Sequence, residues 1–131
     1  MADRLVDSDV LIDALRGVRR ANATLVRLVR EGRVATTAVN VFELGCGTQT
    51  EQDEARLRDL LQNLEVLPLD VPSALEAARI DRELRTRGER IDARDTIIGG
   101  IARWHGIPLV TRNRRHFERI PGLAVEGLDP D

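Results

Sequence analysis

Residues 90–113, RIDARDTIIGGIARWHGIPLVTRN, restrict the fold of this chain more than any other stretch. Apolar side chains recur there at the spacing of one buried helix face, in Ile97, Ile98, Ile101 and Ala102. Gly106 then ends the helix, and the apolar run at residues 107–111 predicts a buried strand. A helix that passes directly into a buried strand is typical of folds in which helices cover a sheet.

Two adjacent glycines interrupt this helix. Gly99 and Gly100 each cost roughly 1 kcal/mol of helix propensity relative to alanine, so the sequence predicts that another backbone or helix packs closely against them. Asp95 lies in the first turn of the same helix. An acidic residue beside a tightly packed seam, followed by a buried strand, predicts one wall of a functional site.

The same alternation of strand and helix runs through the rest of the chain. Apolar runs predict strands at residues 4–7, 34–36, 65–69 and 123–126. Helical spacing predicts helices at residues 10–16, 19–31, 38–46, 51–63 and 72–87, and a short turn of helix follows Asn113. Without a repeat or a linker, this order predicts a single α/β/α domain, residues 1–131, with a mainly parallel central sheet of four to five strands.

Several local features refine this prediction. Pro68 has no amide hydrogen to donate, so strand 65–69 is expected near an edge of the sheet. Ser8 or Asp9 is expected to cap the helix at residues 10–16. Asp92 is expected to cap the helix that carries Asp95, and Cys46 is expected to be a small buried apolar residue.

The composition fits a folded domain, since 42% of the 131 residues are hydrophobic and 32% are charged. No run approaches the 18 apolar residues of a membrane span. The N-terminus lacks the basic start and apolar run of a signal peptide, so a cytoplasmic location is expected. The single cysteine excludes an internal disulfide and a cysteine-based zinc site.

The charges exclude further classes of function. A net charge of −2 argues against a protein that coats nucleic acid through bulk charge. All 20 basic residues are arginine, so a catalytic or Schiff-base lysine is ruled out. Arginine favours bidentate phosphate contacts, although genomic base composition would also explain this usage.

Polar residues follow the predicted strands where a parallel sheet binds its ligands. Asp7 closes the first strand, Glu43 lies in the helix after the second, and Asn113 follows strand 107–111. Ligands of such sheets bind in the crevice at the carboxyl ends of the strands. If Asp95 joins Asp7 and Glu43 there, the three carboxylates repel one another unless a cation neutralises them. A site made only of oxygen ligands suits Mg²⁺ or Mn²⁺.

Each of these residues also has a structural interpretation. Asp7 could cap the following helix, and Glu43 could face solvent on its helix. Asn113 is an ordinary turn residue. The functional interpretation therefore depends on all four residues meeting at one place.

Four segments together resemble the PIN-domain ribonucleases, and specifically the VapC-like toxins of toxin–antitoxin modules. They are LVDSDVLID at residues 5–13, NVFELG at 40–45, DTIIGGIA at 95–102 and LVTRNRRHFERIPGL at 109–123. The resemblance covers almost the whole chain and implies a PIN-like fold. It implies that Asp7, Glu43 and Asp95 bind metal, and that Asn113 stands where the family carries an acid or an amide.

The resemblance implies a Mg²⁺-dependent endoribonuclease that cleaves RNA with metal-activated water. Ser8 and Thr111 are then expected to hydrogen-bond the metal-binding carboxylates. Three arginines beside the crevice are expected to receive RNA phosphates: Arg112, Arg114 and Arg115. With aromatic residues at 2%, recognition is expected to depend on RNA shape and backbone.

The resemblance also implies protein partners. An antitoxin is expected to insert an arginine or lysine among the three acids and to bury an amphipathic helix between helices 10–16 and 51–63. A symmetric homodimer is expected to bind the antitoxin in a larger complex.

Other functions fit parts of the sequence. The run at residues 5–9 is similar to haloacid-dehalogenase-like phosphatases, with Asp7 as nucleophile and Asp9 as general acid, but their later lysine and paired acidic motif are missing. A PIN-type nuclease of RNA processing or DNA metabolism is the nearer alternative. A non-catalytic PIN-like binding module is the third, and it predicts that one of the three acids is absent or misplaced.

Overall fold

A five-stranded parallel sheet forms the centre of the computed structural model, which describes residues 1–130. The strands are β1 (Arg4–Val6), β2 (Val34–Thr37), β3 (Glu65–Leu67), β4 (Leu109–Val110) and β5 (Val125–Glu126). The helices are α1 (Ser8–Leu15), α2 (Arg19–Glu31), α3 (Ala38–Cys46), α4 (Glu51–Leu61), α5 (Val71–Thr86), α6 (Ala93–His105) and α7 (Arg114–Phe117). The predicted α/β/α fold with a parallel sheet is confirmed.

The order of the strands, β3-β2-β1-β4-β5, fixes the position of the crevice. From β1 the chain moves outward through β2 to β3, and it then crosses back to place β4 on the other side of β1. The connections on the two sides of β1 therefore leave in opposite directions. In parallel sheets this point of reversal opens a crevice at the carboxyl ends of the two strands.

Alternate residues of the strands build one core on each face of the sheet. Leu5 and Leu109 pack with α5, α6 and α7 through a cluster that includes Ile80, Ile98 and Phe117. Val6 and Val110 belong to a second cluster, which takes most of its other side chains from the first four helices and includes Val10, Leu11, Leu25, Leu44 and Leu57. The sheet is thus covered by helices on both faces.

The glycine pair of α6 packs as the sequence predicted. A Cβ atom at Gly100 would lie 2.7 Å from both Cα and Cβ of Ala77 on α5. A Cβ atom at Gly99 would overlap the Ile120 side chain. These contacts fix α6 against its neighbours, and they fix the position of Asp95 in its first turn.

Proline explains why one predicted strand is shorter than expected. β3 ends at Leu67 because Pro68 cannot donate a ladder hydrogen bond, and β3 is an edge strand, as predicted. No helix among residues 1–130 combines the length and apolar character needed to cross a bilayer.

Three local predictions are wrong. The N-cap of α1 is Asp7, as its structural interpretation predicts, and not Ser8 or Asp9; the Asp7 carboxylate accepts a hydrogen bond from the Ser8 amide. Asp92 occupies the N-cap position of α6, but its side chain makes no capping hydrogen bond. Cys46 is exposed because it lies on the solvent side of the last turn of α3.

Candidate active site

Asp7 lies at the centre of the crevice between β1 and β4, and only 1% of its surface is exposed. Its Oδ1 accepts hydrogen bonds from the Ser8 amide at 2.8 Å and from Asn40 Nδ2 at 3.1 Å. Its Oδ2 accepts a hydrogen bond from the Thr111 hydroxyl at 2.9 Å. A carboxylate with donors on both oxygens is held in one orientation.

One guanidinium group joins the three predicted acids. Arg94 donates from Nη2 to Asp7 Oδ1 at 2.8 Å, from Nε to Glu43 Oε2 at 2.7 Å and from Nη1 to Asp95 Oδ1 at 2.5 Å. Asp7 follows β1, Glu43 lies on α3 and Asp95 lies on α6, so they meet only through the tertiary fold. The predicted convergence of these three carboxylates is therefore present in the structure.

The contacts of Arg94 with the three carboxylates keep its guanidinium charged. Burial alone would lower the pKa of Arg94, but its hydrogen bonds to Glu43, Asp7 and Asp95 and the charge of Asp7 outweigh burial and raise that pKa. The guanidinium is therefore a permanent cation among three carboxylates.

Glu43 is positioned by a relay of side chains. Asn40 Nδ2 donates to Ser8 Oγ at 2.7 Å, and Ser8 Oγ donates to Glu43 Oε1 at 2.9 Å. Partial burial opposes ionisation of Glu43, but the hydrogen bonds from Arg94 and Ser8 hold its pKa below the ordinary value. The predicted contact between Ser8 and a site carboxylate is present, as is that of Thr111.

Asp95 is 2% exposed and has a second set of neighbours on its other oxygen. His116 Nδ1 lies 3.3 Å from Asp95 Oδ2, and Asn113 Nδ2 lies 3.5 Å from the same oxygen. Asn113 also lies 3.1 Å from His116, between Nδ2 and Nδ1. Asn113 is thus at the margin of the cluster, and its contact with Asp95 is long.

Asp9 is a fourth acid close to the cluster. Its Oδ2 accepts a hydrogen bond from the Arg112 amide at 3.1 Å and lies 3.3 Å from the Thr111 hydroxyl. Its Oδ1 is buried and has no hydrogen-bond partner among the residues described. Burial, and then the charge of Asp7, raises the pKa of Asp9. An ionised Asp9 adds negative charge to an edge of the sheet that already favours a cation.

The chemistry of the donor set fits a divalent metal ion. Three carboxylates converge on one cationic group, and oxygen ligands of this kind suit Mg²⁺ or Mn²⁺. In the present arrangement, no group of three or more His, Cys, Asp or Glu side chains within residues 1–130 is positioned to hold a metal ion. The Arg94 guanidinium lies between the three carboxylates and contacts one oxygen of each.

The three arginines near the crevice differ in how freely they could bind phosphate. Arg112 forms an ion pair with Asp13, and Arg114 forms one with Glu118 at 3.2 Å. Arg115 is exposed and makes no ion pair with any described carboxylate. Of the three, Arg115 has the side chain most available to an incoming anion.

Sequence reasoning missed three residues of this site. Asn40 and His116 lie inside two of the four segments that carry the family resemblance, but a single Asn or His gives no periodic signal. Arg94 precedes Asp95 directly, and an arginine in the first turn of a helix looks like an ordinary exposed residue. The only available signal was that Arg94 stands directly beside Asp95, an acid that was predicted to line the site.

Comparison with known proteins identifies the family. A family model described as "PIN domain" matches residues 4–123. "Ribonuclease VapC10" from Mycobacterium tuberculosis is 35% identical over 130 residues, which are 96% of this chain and 97% of that protein.

Two solved structures have the same fold over nearly the full length. One is described as DNA-bound VapBC from Salmonella typhimurium, with a TM-score of 0.86 and 26% identity over 97% of this chain and 98% of that one. The other is a toxin-antitoxin complex from Klebsiella pneumoniae, with a TM-score of 0.78 and 26% identity over 92% and 95% of the two chains.

Proposed function

This chain belongs to the PIN-domain family and within it to the VapC ribonucleases, and we propose that it is a Mg²⁺-dependent endoribonuclease that acts as the toxin of a toxin–antitoxin pair. The observation that carries the proposal is that Asp7, Glu43 and Asp95 share one cation at the point of reversal of a parallel sheet. The relative in Mycobacterium tuberculosis is named a ribonuclease, which supports RNA as the substrate.

The metal would be held by Asp7, Glu43 and Asp95. A bound Mg²⁺ or Mn²⁺ supplies a lower pKa for a coordinated water and positive charge beside the scissile phosphate. Other side chains of this protein orient the carboxylates that would bind the metal. Thr111 holds one oxygen of Asp7, and Ser8 holds one oxygen of Glu43. Such supporting hydrogen bonds commonly change metal affinity or activity by roughly 10–100-fold.

The substrate would approach through positive side chains at the rim. Arg115 is exposed and directly precedes His116, whose Nδ1 lies 3.3 Å from Asp95 Oδ2, and its guanidinium suits bidentate contact with a phosphate. Since the only described aromatic side chains are two phenylalanines and one tryptophan, stacking on bases contributes little. Recognition by RNA backbone and shape follows from this inventory.

The antitoxin has a physical site next to the acids. A groove between α1, α3 and α4 is lined by the apolar residues Ile12, Leu15, Leu44 and Leu57 and by the charged residues Arg16, Glu43, Asp53 and Arg56. Its apolar side chains suit the apolar face of an amphipathic helix. The similar chain in a toxin-antitoxin complex from Klebsiella pneumoniae supports a partner of this class.

Arg94 changes one expectation about that partner. An antitoxin arginine or lysine was expected to enter among the three carboxylates, but Arg94 already pairs with all of them. An incoming cation must therefore displace Arg94. We expect the apolar groove to supply most of the antitoxin's affinity.

Cleavage of total RNA by the purified protein tests the function. We expect cleavage with Mg²⁺, none with EDTA, and recovery when Mg²⁺ is added in excess. Asp95→Asn deletes one charge and little volume, so it should reduce cleavage by at least about a hundredfold while the protein stays folded.

Asp92→Asn is the matched control, because Asp92 is exposed and caps no helix through its side chain. This variant should cleave at the wild-type rate. Equal losses in the two variants, or EDTA-resistant cleavage, would contradict the assigned site.

A further inference from the structure

Arg94 lies between the three acids to which the proposed function assigns the metal ion. Its three donor nitrogens contact one oxygen on each of the three carboxylates, at distances of 2.5 to 2.8 Å. Within the described residues, the hydrogen bonds recorded for its side chain go to these carboxylates alone. The guanidinium and a metal ion would therefore compete for the same oxygens.

Arg94 is placed so that it can leave without unfolding the site. The residue lies in the first turn of α6, and 30% of its side chain is exposed to solvent. Thr111 and Asn40 hold Asp7, and Ser8 holds Glu43, through separate hydrogen bonds, while Asp95 Oδ2 lies 3.3 Å from His116 Nδ1. Rotation of the long Arg94 side chain toward solvent would thus leave the three acids near one another, free to close around an ion.

The charges make simultaneous occupancy unfavourable. Three carboxylates carry a charge of −3, and Arg94 reduces this to −2 (−3 + 1 = −2). A divalent ion placed within a few ångströms of the guanidinium meets direct repulsion in a partly buried site, where screening by solvent is weak. Only one of the two cations can use all three carboxylates.

On the basis of the proposed metal-dependent function, we propose that Arg94 is a tethered competitor for the metal ion, which keeps the acid cluster closed until a divalent cation displaces it. No covalent bond changes in this step. Three guanidinium–carboxylate ion pairs are lost, and metal–carboxylate contacts replace them. Arg94 is therefore a positioning residue that sets the metal concentration at which the site fills.

Binding of Mn²⁺ to the purified protein, followed through the electron paramagnetic resonance signal of the free ion, tests this proposal without any activity readout. Arg94→Gln removes the competing charge and keeps a polar side chain. It should bind Mn²⁺ roughly tenfold more tightly than the wild type or better, because the ion no longer displaces a bound cation.

Arg103→Gln is the matched control. Arg103 lies on the same helix and also bridges two carboxylates, Glu76 at 2.8 Å and Glu83 at 3.1 Å, but it lies outside the cluster. This variant should bind Mn²⁺ as the wild type does. Asp7→Asn should weaken binding in either background, which shows that the ion measured is the one in the acid cluster.

Thermal unfolding supplies a second readout. Without metal, Arg94→Gln should unfold at a lower temperature than the wild type, because three carboxylates repel one another unneutralised. Saturating Mn²⁺ should raise its melting temperature more than that of the wild type. If Arg94→Gln does not fold, Arg94→Lys is the second variant. Lysine keeps the charge, but its single ammonium group cannot pair with all three carboxylates in the geometry of the guanidinium. The affinity of this variant for Mn²⁺ should therefore still exceed that of the wild type.

The Mn²⁺-binding results distinguish a failure of this inference from a failure of the proposed function. Equal or weaker Mn²⁺ binding by Arg94→Gln, with binding still lost in Asp7→Asn, would overturn the role of Arg94 and leave the metal site standing. No Mn²⁺ binding by the wild type or by Arg94→Gln would overturn both proposals.

Discussion

A single hydroxyl group connects the carboxyl end of β4 to the acid cluster. Thr111 is fully buried, it donates to Asp7 Oδ2 at 2.9 Å, and it accepts a hydrogen bond from the Asn113 amide at 3.0 Å. Asp9 Oδ2 lies 3.3 Å from the same hydroxyl. Since a hydroxyl carries one hydrogen, Thr111 orients Asp7 and leaves Asp9 with its backbone donor.

Thr111→Val replaces this hydroxyl with a methyl group of similar size. We expect cleavage of RNA to fall roughly 10–100-fold, because Asp7 loses the donor that fixes its Oδ2. Thr111→Ser keeps the hydroxyl and should retain most of the activity. The ratio of the two initial rates under the same Mg²⁺ concentration is the measurement, and a ratio near one would show that the hydrogen bond is dispensable.

At this scale the sequence predicted the acids better than their neighbours. Asp7 follows an apolar strand and Asp95 precedes a buried helix face, so the positions of both acids follow from periodicity and from the rule for parallel sheets. The role of Arg94 depends on a side-chain direction in the first turn of α6. Nothing in the local sequence distinguishes that direction from one toward solvent.

The helices and strands were predicted closely, because most begin or end at residues with a clear chemical preference. Helices α2 and α3 have the predicted bounds, and α3 begins at a capping box formed by Thr37 and Asn40. The predicted bounds differ by up to two residues at helix ends and at strand ends alike, and at strand ends pairing rather than local sequence decides. Strand 107–111 shrinks to Leu109–Val110, although the Thr111 amide still donates to Glu126 across the sheet.

The crossing of α5 and α6 is the element-scale feature most open to test. Gly100→Ala would place a methyl group 2.7 Å from the Ala77 backbone, so the two helices must separate. Such overpacking costs about 1–3 kcal/mol. We expect a lower free energy of unfolding in urea, with the acid cluster loosened because α6 carries Asp95.

Gly45→Ala is the matched control on α3. Gly45 lies inside a helix, and no atom would lie within 4 Å of an added Cβ. Alanine should therefore leave stability unchanged or raise it by up to about 1 kcal/mol through helix propensity. If Gly100→Ala is as stable as the wild type, the close packing of α5 on α6 is not what the glycine provides.

An exposed apolar surface at one edge of the molecule remains without a partner in a single chain. It is formed by residues on α3, on β3 and its following loop, and at the start of α5: Phe42, Val66, Leu69, Val71 and Leu75. The helix α3 packs against β3, and Leu69 and Val71 follow β3 closely in the chain. Exposed apolar side chains that lie together mark an interaction site. They favour the homodimer that the sequence resemblance implies, since a symmetric pair could bury them on both chains.

Val71→Asp tests this interface. Val71 is 72% exposed in the single chain, so the charge should cost little folding stability but should prevent dimerisation by burying an unpaired carboxylate. Val26→Asp is the control, because Val26 is also exposed but lies on α2 in the opposite helical layer. Light scattering coupled to size exclusion should give a dimer for the wild type and the control, and a monomer for Val71→Asp. A dimeric Val71→Asp protein would place the interface elsewhere.

The chemistry of the RNA ends tests the central claim most directly, namely that the Asp7, Glu43 and Asp95 cluster hydrolyses RNA with water. Cleavage is run with Mg²⁺ in ¹⁸O-labelled water, and the fragments are analysed by mass spectrometry. In-line attack by water on the phosphate predicts 3′-hydroxyl ends and 5′-phosphate ends that carry ¹⁸O, and none of these products with EDTA or with Asp95→Asn. Fragments that end in unlabelled 2′,3′-cyclic phosphates and 5′-hydroxyls would contradict the claim, because they require attack by the 2′-hydroxyl of the RNA itself.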